Sequence, residues 1–275
     1  MRDIRHIKKN NLIISASIIV LIIVILLAGV TIVVPIIKDN AQKIAFEDER
    51  MAREIAIGAG VESVDEFRVD DLDKVKSLDI RYTGFYDTIS DIEKCQQLSY
   101  LVIGQVDYGD EFESANQDDW PGPESKEKIQ QTKRELGNIL EKCTKLRYLY
   151  IIGEEKYFEL GDLEFLENGQ NLKSLSLRNQ PSMDYSAIAK CSQLEHLSLY
   201  GCDVSDLSML SKLENLENLD IVGTNVSEAK DILNVNKLKV LYIADTPLEE
   251  NEEQLALIYQ QFPDIEISNF NWKEY

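Results

Sequence analysis

The sequence predicts an α/β solenoid, a curved parallel sheet backed by short helical returns and preceded by one membrane-spanning helix. Three observations carry that prediction. A six-residue frame, L-x-x-L-x-L, recurs as Leu172-Leu175-Leu177, Leu194-Leu197-Leu199, Leu216-Leu219-Ile221 and Leu238-Leu241-Ile243, and its first residues are 22 apart. After the frame comes a polar turn and a second apolar series, in which Val204, Leu207, Leu210 and Leu213 succeed one another at threes. Near the start, Leu12 to Ile37 runs for 26 residues without a charge. Alternation inside the frame is the period of a short half-buried strand, and spacing by threes suits a tight 3₁₀-like return. One coil cannot bury both series alone, so neighbouring coils must stack.

Taken in order, residues 1–11 hold Arg2, Arg5, Lys8 and Lys9 against Asp3. About 20 apolar residues cross a bilayer, so residues 12–37 are long enough to span. The basic flank predicts a cytoplasmic tail over 1–11 and an extracytoplasmic remainder, a single-pass protein of the cell membrane. A cleaved signal peptide would have a shorter apolar region; cleavage near Ala28 or Ala41 is the alternative to a retained anchor. Residues 38–57, with Ile44, Ala45, Met51, Ala52, Ile55 and Ala56 among charges, predict a helical stalk that Gly58 and Gly60 end. Residues 58–275 form the repeat domain. It must open with a cap, because a bare first coil would expose the core.

Its first frame is Leu72-x-x-Val75-x-x-Leu78-x-Ile80, its second Leu98-Leu101-Ile103 and its third Leu146-Leu149-Ile151. The last two start 48 residues apart, which leaves an insertion at about 105–141. The first part of it is acidic and carries Tyr108, Phe112 and Trp120. The second, Glu124 to Glu141, puts Ile129, Leu136, Ile139 and Leu140 on one face of a predicted helix. Insertions in repeats map to loops on one face, often the binding face. A terminal frame, Phe262-x-x-Ile265-x-Ile267, closes the series within a C-terminal cap from about 248, and Ser268 to Tyr275 is expected to fold over the last coil.

Composition bounds the function. The chain carries a formal charge of −20. Its first 37 residues hold four basic and one acidic side chain, so 25 basic and 48 acidic remain beyond the anchor, a net of −23. Such a surface repels phosphate backbones and anionic headgroups, which excludes nucleic acid and a second membrane contact. Cys95, Cys143 and Cys191 each lie three residues before a frame, where the following coil has Leu213, and read as small buried hydrophobes. A Cys95–Cys143 disulfide between adjacent coils is the alternative, since paired strands lie about 4.8 Å apart. Cys202 holds the ninth position of its frame, where Thr224 and Thr246 stand in the next two.

The run Leu194-x-x-Leu197-x-Leu199-x-x-Cys202-x-Val204-Ser205-Asp206-Leu207-x-x-Leu210-x-x-Leu213 resembles the 22-residue leucine-rich repeat of bacterial internalin-like surface proteins, and Ile89-Ser90-Asp91-Ile92 repeats part of the phrase. The resemblance covers about residues 53–267. It implies a leucine-rich repeat solenoid that binds proteins at the cell surface.

Catalysis has little to build on. His196 is the one histidine outside the tail, and no H-E-x-x-H, G-x-x-x-x-G-K or C-x-x-C spacing occurs. Asp107, Asp110, Glu111, Glu113, Asp118 and Asp119 lack EF-hand spacing. No enzyme, metal or cofactor is expected. Columns facing the concave surface instead collect Tyr100, Tyr148, Tyr150, Arg178, His196, Tyr200 and Tyr242, with Arg81, Asp79 and Asp220 nearby. Tyrosine and arginine are enriched at binding hot spots. Together with Trp120 of the insertion they are the candidate contacts for a protein partner, in adhesion or as an envelope adaptor. The alternative is a cytoplasm-facing regulatory subunit of an enzyme such as a phosphatase, which the charge asymmetry around the anchor disfavours.

Overall fold

The computed structural model describes residues 43–81, 83–104, 126–153, 159–182 and 184–268. The chain divides into two units, residues 1–45 with 67–70, and residues 46–66 with 71–275. Of the first unit only 43–45 and 67–70 are described; everything below concerns the second.

Eight parallel strands form one sheet in chain order. They are β1 (Ser77–Ile80), β2 (Tyr100–Gly104), β3 (Tyr148–Ile152), β4 (Ser174–Arg178), β5 (His196–Ser198), β6 (Asn218–Asp220), β7 (Val240–Tyr242) and β8 (Glu266–Ser268). Through β7, like frame positions pair with like. Leu78, Leu101, Leu149, Leu175, Leu197, Leu219 and Leu241 form one row across seven strands, and every member is buried. Each such side chain contributes about 2 kcal/mol of transfer free energy. Strands stay short because the eighth frame position turns left-handed: Asn179, Gly201, Gly223 and Asp245 have φ of 50°, 65°, 68° and 58°. These are the residue types that tolerate that region at least cost.

The returns are the predicted 3₁₀ turns, at Ser90–Lys94, Glu164–Asn168, Ser186–Lys190, Ser208–Lys212 and Ile232–Asn234. In the third coil a longer helix takes that place. This helix, Lys126–Lys142, turns Ile129, Leu136, Ile139 and Leu140 inward and packs against the turns of the coils on either side. The second half of the insertion is therefore scaffold of the core rather than a loop of the binding face. Its acidic first half, Trp120 included, lies outside the described residues.

A helix earlier in the chain corrects the predicted stalk. Helix α1 (Glu49–Gly58) buries Met51, Ala52, Ile55 and Ala56, packed on β1 and on the Ser90–Lys94 turn. It begins at a cap, because the Asp48 side chain accepts from Arg50 N at 2.7 Å and Met51 N at 2.8 Å. The apolar spacing was that of a helix covering the first coil. Taking the 126–142 helix as α2, α3 (Glu252–Gln261) is capped by Asn251 and packs on the Ile232–Asn234 turn. The strand after it corrects the terminal frame. Ile267, not Ile265, pairs with Leu241, so the last frame sits two residues further on than the predicted Phe262-Ile265-Ile267.

All four cysteines are free and buried, so the Cys95–Cys143 disulfide is not formed. Cys143 Sγ donates to Ile92 O at 3.5 Å and Cys191 Sγ to Leu166 O at 3.9 Å. Burial pushes the Cys95, Cys143 and Cys191 thiols up to about 12. Among the described residues no helix is long and apolar enough to cross a membrane; the predicted span at 12–37 lies outside them.

Candidate protein-binding face

Side chains at the third and fifth frame positions leave the sheet on the side opposite the leucine row. On β2 and β3 these are Tyr100, Val102, Tyr148 and Tyr150, three of the four tyrosine. Tyr100 lies 6.3 Å from Tyr148 and 5.2 Å from Tyr150, ring centre to ring centre, with interplanar angles of 38° and 37°. Such tilted spacings are favourable for aromatic pairs. The three rings make a ledge on which Tyr148 is 40% exposed. Asp79, across from Val102 on β1, is held by Arg81 Nε at 2.9 Å.

The face changes character past β3. The third and fifth positions become Ser174 and Ser176 on β4, His196 and Ser198 on β5, and Asn218 and Asp220 on β6. Small side chains between Tyr150 and Tyr242 leave a groove of about 260 Å³, lined also by these residues. Asp220 accepts from Ser198 Oγ at 2.7 Å and from Val222 N at 3.0 Å. Burial raises its pKa above the ordinary carboxylate value, against the opposing pull of those two donors and of Arg178. His196 is exposed on the groove floor.

Seventh frame positions form a third group. Arg178 sets its guanidinium 5.0 Å from the centre of the Tyr200 ring, a cation–π distance. Tyr200 is only 6% exposed and clusters with Val222 and Ala244, with Tyr242 packed against them. That corrects its assignment as a surface contact: the chain turns at this position, so the ring lies down on the next two coils. The predicted residues thus fall into the Tyr100–Tyr148–Tyr150 ledge and the Arg178–Tyr200–Tyr242 group, with His196 between them. The serine floor was missed as a feature. Its signal was the replacement of tyrosine by serine at matching positions of successive frames.

At the ninth frame position the threonines close their own turns, and Cys202 reaches back to the coil before it. Thr224 and Thr246 hydroxyls donate to Ile221 O and Ile243 O at 2.7 and 2.6 Å, and Cys202 Sγ donates to Leu177 O at 3.0 Å. This keeps the strand ends, and the side chains on them, in a fixed frame.

No protein-family model matches the chain, and no curated protein matches its sequence. Solved structures do resemble it. Internalin C2 of Listeria monocytogenes aligns with a TM-score of 0.51 and 21% identity over 76% of this chain and 78% of that one. A leucine-rich repeat protein of Leptospira interrogans aligns with a TM-score of 0.46 and 15% identity, over 73% of this chain and 50% of its own length. Eight parallel strands in chain order on repeating leucine frames, with the likeness to internalin C2, give this chain an internalin-like leucine-rich repeat fold.

Proposed function

We propose that the chain is a protein-binding module that works through the open face of β2 to β7, tethered to the outer side of a cell membrane by residues 12–37. The observation that carries the binding role is the tyrosine ledge beside a groove, mounted on strands whose register is fixed coil by coil. Tyrosines supply large, rigid, amphipathic contact area at low entropy cost. The tether rests on the charge-free run and on the basic residues ahead of it. Nothing in the proposal calls for a cofactor or a catalytic step.

The test is capture. Full-length chain is immobilised and exposed to envelope extract of the cells that make it and to foreign-cell surfaces, beside a Tyr148→Ala/Tyr150→Ala variant. A partner retained by the wild type and lost at least tenfold by the variant supports the open face. Equal capture by both moves the site elsewhere. Protease added to intact cells checks the topology: digestion of the repeat domain is the expected result, and protection until lysis would favour the cytoplasmic regulatory role.

A further inference from the structure

The groove specifies what a partner must bring to it. A volume of about 260 Å³ lies below the range of sites for whole drug-sized ligands, about 300–1,000 Å³. It suits one large side chain laid on the serine floor against Tyr242. The floor beneath is Ser176, His196 and Ser198, and Asp220 closes the β6 side.

Asp220 is the residue that selects the occupant. Each of its oxygens accepts one neutral donor, Ser198 Oγ on Oδ2 and Val222 N on Oδ1. A carboxylate offers about four lone-pair sites, so both oxygens keep capacity toward the groove. Among the described residues no lysine or arginine forms an ion pair with it. Arg178 acts on it electrostatically but engages the Tyr200 ring instead. A half-buried carboxylate with no cation in direct contact is an arrangement an incoming positive group improves, because much of the desolvation is already in place and Arg178 acts only at a distance. The chain's charge of −20 also draws in basic partners and turns away acidic ones.

We propose that the partner lays one basic side chain, arginine by fit, against Tyr242 and onto Asp220, its register neighbour on β6. This rests on the open face being the protein-binding surface. Arginine suits the site because its planar guanidinium can stack on the Tyr242 ring while its forked N–H groups reach the neighbouring carboxylate. An ammonium would satisfy the charge but not the stacking.

The experiment selects from a random peptide library displayed on phage, with the full-length chain as bait and Asp220→Asn as the parallel bait. Asparagine keeps the shape and the acceptor for Val222 N, and the Ser198 hydroxyl can turn to accept from the new amide, so the charge is the main thing lost. The expected result is a consensus with one fixed arginine or lysine, absent from the Asp220→Asn selection. As a check that needs no protein variant, replacing that arginine by citrulline in a selected peptide should weaken binding at least tenfold. A consensus without a basic residue, the same consensus on both baits, citrulline binding as well as arginine, or no enrichment at all would overturn the proposal. The two readings fail differently. Binding that is lost with Tyr148→Ala/Tyr150→Ala yet indifferent to Asp220→Asn leaves the face and removes the anchor. Binding indifferent to both removes the face as well.

Discussion

Asp48 holds its charge among backbone N–H groups. Burial would raise its pKa, but donors at Met51, Asp87, Arg50 and Thr88 outweigh that and leave it lowered. A folded-state value below the unfolded one stabilises above the ordinary value of about 3.9, and that stabilisation is lost as pH falls through the folded value. Hydrogen exchange of the α1 amides should therefore accelerate, relative to the strand amides, as pH drops below about 4. Asp48→Ala should cost about 1–2 kcal/mol at neutral pH, as for a lost helix cap, and flatten that acid response. The tyrosines divide as sharply. Tyr148→Ala should cost about 1 kcal/mol or less, mainly the lost pairing with Tyr100, while Tyr200→Ala should cost about 3 kcal/mol by emptying a packed site; chemical denaturation separates the two. The frame spacing made both residues legible as members of columns. It did not show how far the chain rolls over at the seventh position, because that depends on Val222 and Ala244 in the following coils. The thiols give another check at this scale. With Cys202 at about 11 and the other three at about 12, little thiolate exists at pH 8. Ellman's reagent should label none in the folded chain and all four in guanidinium.

Among the elements, β2 ends at a point where only glycine fits. Gly104 has φ of +136°, and a Cβ there would stand 1.9 Å from Ile152 O on the neighbouring strand. Its N–H also donates to Thr83 Oγ1 at 3.0 Å while its carbonyl accepts from the same hydroxyl at 3.1 Å. Gly104→Ala should cost at least about 2 kcal/mol through strain and a broken β2–β3 end. Faster amide exchange at Ile152 would report the break. The returns, the longer convex helix and seven strands followed from apolar spacing, because the same residues that set the period also fill the core. The last strand did not, for a reason specific to sheets. Ile265 and Ile267 lie on the same side of an alternating strand, and a slip of two residues preserves that side. Apolar pattern alone gives them equal claims to pair with Leu241; α3 and the loop after it decide for Ile267. The stalk was misread for a similar reason. An amphipathic helix declares that one face is covered, and not by what.

Over the whole molecule, strand order equals chain order, so each coil depends mainly on its neighbours. Lys173–Glu195 and Lys239–Glu217 ion pairs tie adjacent coils along one rim. Exposed pairs of this kind contribute little to stability, about 0–1 kcal/mol each. The net charge should act on encounter instead. Association with a basic partner is expected to slow about tenfold or more as salt rises from about 0.05 to 0.5 M, with dissociation changing less. Surface plasmon resonance across a salt series reads both rates. An association rate unchanged across the series would show that the net charge does not steer encounter.

The carboxylates at the N-terminal cap also set a path for mechanical load. Asp91, on the turn of the second coil, accepts from both Glu47 N at 2.8 Å and Asp48 N at 3.0 Å, and pairs with Lys94. Tension entering from the N-terminal side therefore reaches the second coil directly, bypassing the hydrogen bonds between β1 and β2. Unzipping a sheet from its edge breaks one bond at a time, whereas a strap across the first joint makes several bonds fail together. With the membrane tether proposed for residues 12–37, such a strap would keep the first coil seated while the repeat domain is pulled.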